Sequence, residues 1–122
     1  MPDIVLDGVL APASAEGLRI RSSNNVIRGL VVVRFDRGIE MRDGGGPVGN
    51  NAVYTCHIGV GRDGEGGSTG HRDHGICVDG TGTGTEIGGP NPGEGNVISG
   101  NGAHGLGDYN GGGNRYRGNI IG

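Results

Sequence analysis

The sequence predicts an all-β chain that coils through successive rungs of short strands, and three observations support this prediction. First, a motif of Asn, any residue, an apolar residue, any residue, a small residue and a turn residue recurs. Its copies begin at Asn25, Asn51, Asn96 and Asn114. Second, a shorter Gly-apolar-x-apolar motif alternates with the first. Its copies begin at Gly17, Gly38, Gly75 and, in a weaker form, Gly105. Third, no segment has convincing helical periodicity.

The composition narrows the alternatives to this fold. Glycine supplies 31 of the 122 residues, far above the usual share of roughly 7%. The glycines keep no period of three and Pro is scarce, which excludes collagen. Apolar runs such as Val31–Val33 argue against a disordered chain. Trp is absent and Phe35 is the only Phe, so the core must consist of thin aliphatic layers.

The first strands follow from the pattern of apolar residues. Residues 3–8 alternate apolar and polar side chains and end at Gly, as a strand and a turn do. The next predicted strands are Gly17–Ile20, Val26–Arg28, Val31–Val33 and Gly38–Met41. About 21 residues separate Leu18 from Ile39, which is the contour length of three short strands and their turns. This distance predicts one rung of a parallel solenoid.

Later rungs follow the same plan with corners of different length. The second circuit, Asn50–Val78, carries a long corner at Gly61–Asp73, and insertions of this kind map to loops on one side of a solenoid. The third contains the predicted strands at Thr85–Gly89, Asn96–Ser99 and Gly105–Asp108, and Asn114–Gly122 begins another. We expect one unit over residues 1–122, with no caps, as a fragment or stacking unit of a larger assembly.

Stacked rungs place like side chains above one another. The predicted inward columns are Leu18/Ile39/Ile76/Leu106, Ile20/Met41/Val78, Ile27/Val53/Ile87/Tyr116 and Val32/Ile58/Ile98/Ile121. The Tyr116 hydroxyl then needs a partner or a route to solvent. Asn101 and Asn119 are expected at one tight turn, in a left-handed conformation. Cys56 at a turn and Cys77 at an outward strand position are expected to be too far apart for a disulfide.

Two longer phrases carry a family resemblance. Ile87–Asn101 (IGGPNPGEGNVISGN) and Asn24–Phe35 (NNVIRGLVVVRF) resemble right-handed parallel β-helix repeat proteins of the pectate-lyase-like superfamily, nearest to the Gly/Asn-rich repeats of large secreted bacterial proteins. The resemblance covers about residues 3–122. It implies a right-handed coil and an extracellular or cell-surface location. It does not fix an activity, because such repeats occur in lyases, hydrolases, epimerases and adhesins.

The strongest chemical constellation is His71–Cys77 (HRDHGIC). In proteins similar to this one, polysaccharide chemistry takes place in the groove over the outward face of the Gly-Ile-x-Val strands. The catalytic candidates there are Glu40, His74 and Arg37. The ligand-binding candidates are Arg19, Glu40, Arg72, Asp73, His74 and His104. A glycosidase needs two facing carboxylates, and that set is incomplete here. The alternative interpretation is a solvated charged face.

The remaining motifs give little support for cofactors or other partners. The spacing of Cys56, His57, His71, His74 and Cys77 matches no standard zinc arrangement, so no metal site is predicted. Asp63–Gly67 leaves calcium as the one alternative to a plain flexible corner. Gly80–Thr85 is predicted to be a turn, since no Lys or helix follows it as in a phosphate loop. The net charge is −3, and the sequence has no basic stripe that would favour a nucleic-acid partner.

Two further patterns concern membranes and secretion. No apolar run approaches the ~20 residues of a membrane-spanning helix, so no membrane span is predicted. Met1–Asp3 lacks the basic leader and apolar segment with which a secretory signal begins.

The leading functional expectation is a structural or adhesive solenoid module of an extracellular bacterial protein, without enzymatic activity. Its expected partner is a second copy stacked end to end into filaments, or flanking rungs of a parent protein. The alternative is a carbohydrate-active β-helix, a polysaccharide lyase or glycoside hydrolase with an incomplete groove, whose partner is a polysaccharide.

Overall fold

The computed structural model describes residues 2–122, which form strands and turns without a helix. The strands are β1 (Ile4–Asp7), β2 (Glu16–Ile20), β3 (Val26–Arg28), β4 (Leu30–Val33), β5 (Arg37–Arg42), β6 (Ala52–Tyr54), β7 (His57–Ile58), β8 (Ile76–Asp79), β9 (Glu86–Ile87), β10 (Val97–Ile98), β11 (Leu106–Tyr109), β12 (Arg115–Tyr116) and β13 (Ile120–Ile121). The predicted all-β class is therefore confirmed.

Each strand from β1 to β10 pairs in parallel with the strand three positions later in the chain. The result is three sheets: sheet 1 in the order β1-β4-β7-β10-β13, sheet 2 in the order β2-β5-β8-β11, and sheet 3 in the order β3-β6-β9-β12. Successive strands go to different sheets, so the chain completes one rung for every three strands. This arrangement is a short parallel β-solenoid.

The register of the sheets confirms the predicted columns of side chains. Those columns are Leu18/Ile39/Ile76/Leu106 in sheet 2, Ile27/Val53/Ile87/Tyr116 in sheet 3, and Val32/Ile58/Ile98/Ile121 in sheet 1, which Leu6 extends. Ile20, Met41 and Val78 form the fourth column, and Asp108 follows Val78. The buried core between the sheets is accordingly aliphatic, with Met41 and Cys56 as its sulfur-containing members.

Which side chains of a strand face the core follows from the alternation of apolar and polar residues along that strand. In β5, Ile39 and Met41 enter the core, and the intervening Glu40 lies on the outward side of the same strand. Isoleucine and valine supply most inward positions, and their β-branched side chains suit an extended backbone.

The corners correct one prediction about the Asn motif. Asn96–Asn101 and Asn114–Asn119 are not equivalent, because Val97 pairs with Ile120 and places Asn96 above Asn119. Asn101 and Asn119 therefore occupy different corners. The left-handed residues are Gly100 and Gly118, with φ of 74° and 69°, and not the Asn that follows each. The same local sequence, a strand followed by a glycine turn, serves at two corners of the rung.

Asparagine side chains nevertheless join the rungs at the corners, as Asn101 Oδ1 does by accepting the His71 N–H at 3.1 Å. At one corner, each side chain accepts the backbone N–H of the equivalent residue one rung earlier. Asn51 accepts from Asn25, Thr85 from Asn51, and Asn114 from Thr85. At another, Asn96 Oδ1 accepts the Cys56 N–H at 2.8 Å, and Asn119 Oδ1 accepts the Asn96 N–H at 3.0 Å. These bonds satisfy backbone donors at the turns, where no strand ladder is available.

The two cysteines are unpaired, as predicted. Cys56 lies at the turn between β6 and β7 and Cys77 lies in β8, and both are buried. Burial raises the pKa of each thiol, so both stay protonated at neutral pH. Neither thiol is therefore suited to act as a nucleophile.

His71 is a core histidine in a fixed neutral form. Its Nδ1 accepts the Phe35 N–H at 3.1 Å, which leaves Nε2–H to donate to the Val32 carbonyl at 3.0 Å. The side chain is almost inaccessible and stacks on the Phe35 ring. Burial holds the pKa of His71 below its ordinary value.

This burial predicts a pH-dependent stability. An unfolded His71 takes up a proton near pH 6.5, whereas the folded side chain resists it, so the free energy of unfolding falls as the pH drops below about 6.5. The slope from this group approaches 1.4 kcal/mol per pH unit until the folded pKa is reached. Urea unfolding between pH 7.5 and 5 measures it. His71→Gln should flatten the slope and the exposed His104→Gln should not. An unchanged slope in His71→Gln contradicts the assignment.

Candidate functional site

The candidate site lies on the outward face of sheet 2. The central column there is Arg19, Glu40, Cys77 and Gly107, in register across β2, β5, β8 and β11. Polar side chains from both flanking columns cover it. We call the following residues the sheet 2 cluster: Arg19, Arg37, Glu40, Arg42, Asp73, His74, Asp79 and Tyr109.

Glu40 is the buried centre of the sheet 2 cluster. Although its position faces outward, its side chain is only 1% exposed, because arginines cover it. Arg37 Nη1 forms an ion pair with Oε2, while Arg19 Nε and Arg42 Nε stand 3.8 and 3.9 Å from Oε1. Oε1 accepts no hydrogen bond within the described residues. A simple solvated face, the alternative considered from sequence, does not describe this position.

A chain of hydrogen bonds runs from Arg37 across the surface. Arg37 Nε donates to Asp73 Oδ2 at 2.8 Å, Asp73 Oδ1 lies 2.7 Å from His74 Nδ1, and His74 Nε2 lies 2.6 Å from the Tyr109 hydroxyl. The bond from Arg37, and then the bond from His74, hold the pKa of Asp73 below its ordinary value. With Asp73 ionised, His74 Nδ1–H donates to it, and Nε2 is left to accept the Tyr109 O–H.

Glycine at position 107 makes this contact between rungs possible. A Cβ there would lie 2.7 Å from His74 Cδ2 and 2.8 Å from Tyr109 Cε2, closer than real Cβ atoms approach. The two rings meet edge to face with centroids 5.6 Å apart. His104 packs against the other side of His74, also edge to face, at 5.2 Å. His74 is therefore nearly buried, whereas Tyr109 reaches solvent.

Two further ion pairs border the cluster. Arg19 Nη2 lies 3.1 Å from Glu16 Oε1 at one side, and Arg42 Nη2 lies 3.2 Å from Asp79 Oδ2 at the other. About half of each arginine side chain is exposed, so both remain accessible to an anionic ligand. Salt screening and the cost of ordering long side chains make such surface pairs weak, so a ligand can compete for them.

The structure brings together most of the residues singled out from sequence. Arg19, Arg37, Glu40, Asp73 and His74 belong to the cluster, with His104 packed beside it. Arg72 does not. It precedes Asp73 in the same corner, but with Phe35 and Asp36 it lines a separate cavity of about 240 Å³. His71 points into the core instead of the groove.

Sequence reasoning missed three members of the sheet 2 cluster, namely Arg42, Asp79 and Tyr109. Each stands one strand position beyond the predicted strand end, in the column Arg42/Asp79/Tyr109. Extending the period-2 alternation by one residue past Met41, Val78 and Asp108 would have placed all three on the outward face.

The structure adds no support for a metal site or a membrane-spanning helix in the described residues. Within residues 2–122, no group of three or more His, Cys, Asp or Glu side chains could hold a metal ion. In the Asp63–Gly67 corner, Asp63 Oδ1 accepts the Glu65 N–H at 2.9 Å, which closes the loop on itself. The described part of the chain also has no helix long and apolar enough to span a membrane.

The fold and the site are thus a short parallel β-solenoid that carries an Asp73–His74–Tyr109 hydrogen-bond chain on the outward face of sheet 2. Comparisons with models of protein families, with curated proteins and with solved structures found no match to this chain.

Proposed function

We propose that the chain is a structural or adhesive module of an extracellular or cell-surface bacterial protein, of the right-handed pectate-lyase-like type. In this proposal the module extends a rigid solenoid and presents corner loops, such as Gly61–Asp73, along one side. Its partners are rungs of the same kind, from a second copy or from flanking parts of a parent protein.

One observation carries this proposal. All three sheets run through the described rungs in constant register, and the outer edges of β1–β3 and β11–β13 have no strand partner within residues 2–122. Unpaired strand edges readily pair with other strands. The hydrogen bonds run along the coil axis, so an added rung continues each sheet without changing it.

Light scattering coupled to size-exclusion chromatography tests the module, with electron microscopy of the concentrated chain. We expect oligomers whose length grows with protein concentration while their width stays constant. A species that remains monomeric across the concentration range contradicts self-association. Binding on a glycan array without turnover would support the adhesive form of the proposal.

The sheet 2 cluster favours a second candidate, a carbohydrate-active β-helix acting on a uronate polysaccharide. The supporting observation is that the Tyr109 hydroxyl is hydrogen-bonded to His74, whose ring is oriented by the Asp73 carboxylate. This is the arrangement of an activated acid–base group. Arg19 and Arg42 would neutralise the uronate carboxylate. Tyr109 would take the proton α to that carboxylate and pass its own to His74. The electrons of the broken C–H bond form a carbon–carbon double bond as the glycosidic C–O bond breaks. Tyr109 passes the abstracted proton to the leaving oxygen and regains its own proton from His74.

Tyr109→Phe tests this second candidate, since it removes the hydroxyl and keeps the ring. The absorbance of unsaturated uronate products should rise when the chain meets pectin or alginate, and Tyr109→Phe should lower that rate by about 100-fold or more. Tyr54→Phe is the matched control, because Tyr54 lies on sheet 3 and bonds Glu86. Absence of product from the unmodified chain, or equal rates in both variants, rejects a lyase.

A further inference from the structure

A cavity of about 240 Å³ lies where the connector between β1 and β2, residues 8–15, meets the corners before β5 and β8. Neither proposed function uses this cavity. We propose that it binds a free α-amino acid with an aliphatic side chain. Its volume falls below the roughly 300–1,000 Å³ of pockets for drug-sized ligands, which matches a ligand as small as one amino acid.

The charged groups of the cavity fit a zwitterion. Arg72 and Asp36 both line it, and neither side chain forms an ion pair within residues 2–122. Arg34, the third charged residue of the lining, is already paired with Asp7. A guanidinium binds a carboxylate through a fork of N–H donors, and a carboxylate accepts hydrogen bonds from an ammonium group. The cavity therefore has one available partner for each charged end of an α-amino acid.

The connector gives the cavity an apolar wall. Val9, Ala11, Pro12 and Ala13 line this side, and Val9 is 59% exposed. An aliphatic side chain on the ligand would cover part of this surface and remove it from water. A sugar would fit poorly, because these four side chains have no hydrogen-bonding group for its hydroxyls.

Hydrogen bonds between rungs hold the walls of the cavity in place. The Arg72 N–H donates to the Phe35 carbonyl at 3.1 Å. Asp7 Oδ1 accepts the Val9 N–H at 3.0 Å and Arg34 Nε–H at 2.9 Å, so it ties the connector to the corner before β5. Arg34 itself has a left-handed backbone with φ of 62°, which is uncommon for a residue other than glycine. A site formed in advance spends less of its binding energy on ordering its own groups.

A titration with leucine and two truncated analogues, followed by NMR chemical shifts, tests the proposal. 4-Methylpentanoate lacks only the ammonium group of leucine, and 3-methylbutylamine lacks only the carboxylate. We expect leucine to shift the Phe35 and Arg72 amide signals and to bind at least about tenfold more tightly than either analogue, because each analogue leaves one charged side chain without a partner. Absence of leucine binding at millimolar concentration overturns the inference, and so does an analogue that binds as tightly as leucine.

Two variants assign the ends of the ligand. Arg72→Gln should weaken leucine binding by about tenfold or more without weakening that of 3-methylbutylamine, and Asp36→Asn should weaken leucine binding without weakening that of 4-methylpentanoate. Arg62→Gln is the matched control, because it removes an exposed guanidinium paired with Asp3 in the same corner as Arg72. Equal leucine affinity in Arg72→Gln and Arg62→Gln overturns the inference. Both proposed functions would then stand, since their tests measure oligomers and lyase product.

Discussion

Ile76→Ala should lower the free energy of unfolding by about 4 kcal/mol, within the 2–5 kcal/mol typical of large-to-small core substitutions. Ile76 is fully buried and stands between Ile39 and Leu106, so its truncation leaves a cavity between two rungs. The rungs are held at the spacing of the strand ladder and cannot collapse into that space. Urea unfolding followed by far-UV circular dichroism measures the loss.

The same substitution at an exposed position is the control for this result. Ile120 on β13 is 68% exposed, and Ile120→Ala should cost less than about 1 kcal/mol. If Ile76→Ala fails to fold, Ile76→Val gives the milder test, with an expected loss of about 1 kcal/mol. Similar losses for Ile76→Ala and Ile120→Ala would contradict the inner column.

Gly95→Ala should destabilise the fold by about 3 kcal/mol or more, through steric overlap and not through backbone strain. A Cβ at Gly95 would overlap the carbonyl oxygen of Gly118 on the next rung. That oxygen belongs to the backbone and cannot rotate away as a flexible side chain could, so the rungs must separate locally. Thermal unfolding and the urea midpoint report the effect.

Gly112→Ala is the matched glycine control. A Cβ at Gly112 has no neighbour within 4 Å, and its φ lies outside the left-handed region, so the change should stay within about 0.5 kcal/mol. A Gly95→Ala chain as stable as Gly112→Ala would show that the rungs do not approach this closely at the corner.

The solenoid itself could be predicted from the sequence because its rule is local and repeated. Ile39, Ile76 and Leu106 each follow a glycine in the same short motif, and the alternation of two residues sets which side chains enter the core. The corners resisted prediction. Asn96 and Asn114 begin similar phrases, but only the pairing of strands across the rung shows that they stand at different corners.

The candidate site was predictable only in part, for a related reason. Glu40, His74 and Arg37 could be placed on one face by counting positions. The burial of Glu40 could not, since it arises from arginines that fold over it from three positions. Tyr109 meets His74 only because Gly107 leaves room, a contact that depends on the side chains of two rungs together.

Each strand pairs only with the strands one rung away, and this determines the order in which the strands unfold. β8 has a partner on both sides, whereas β2 and β11 each have one within the described residues. Amide hydrogens should therefore exchange fastest in the outermost strands and slowest around β7–β9, in a symmetric gradient of fraying. Cooperative unfolding would begin at the two extremities and converge on Ile58, Ile76 and Ile87.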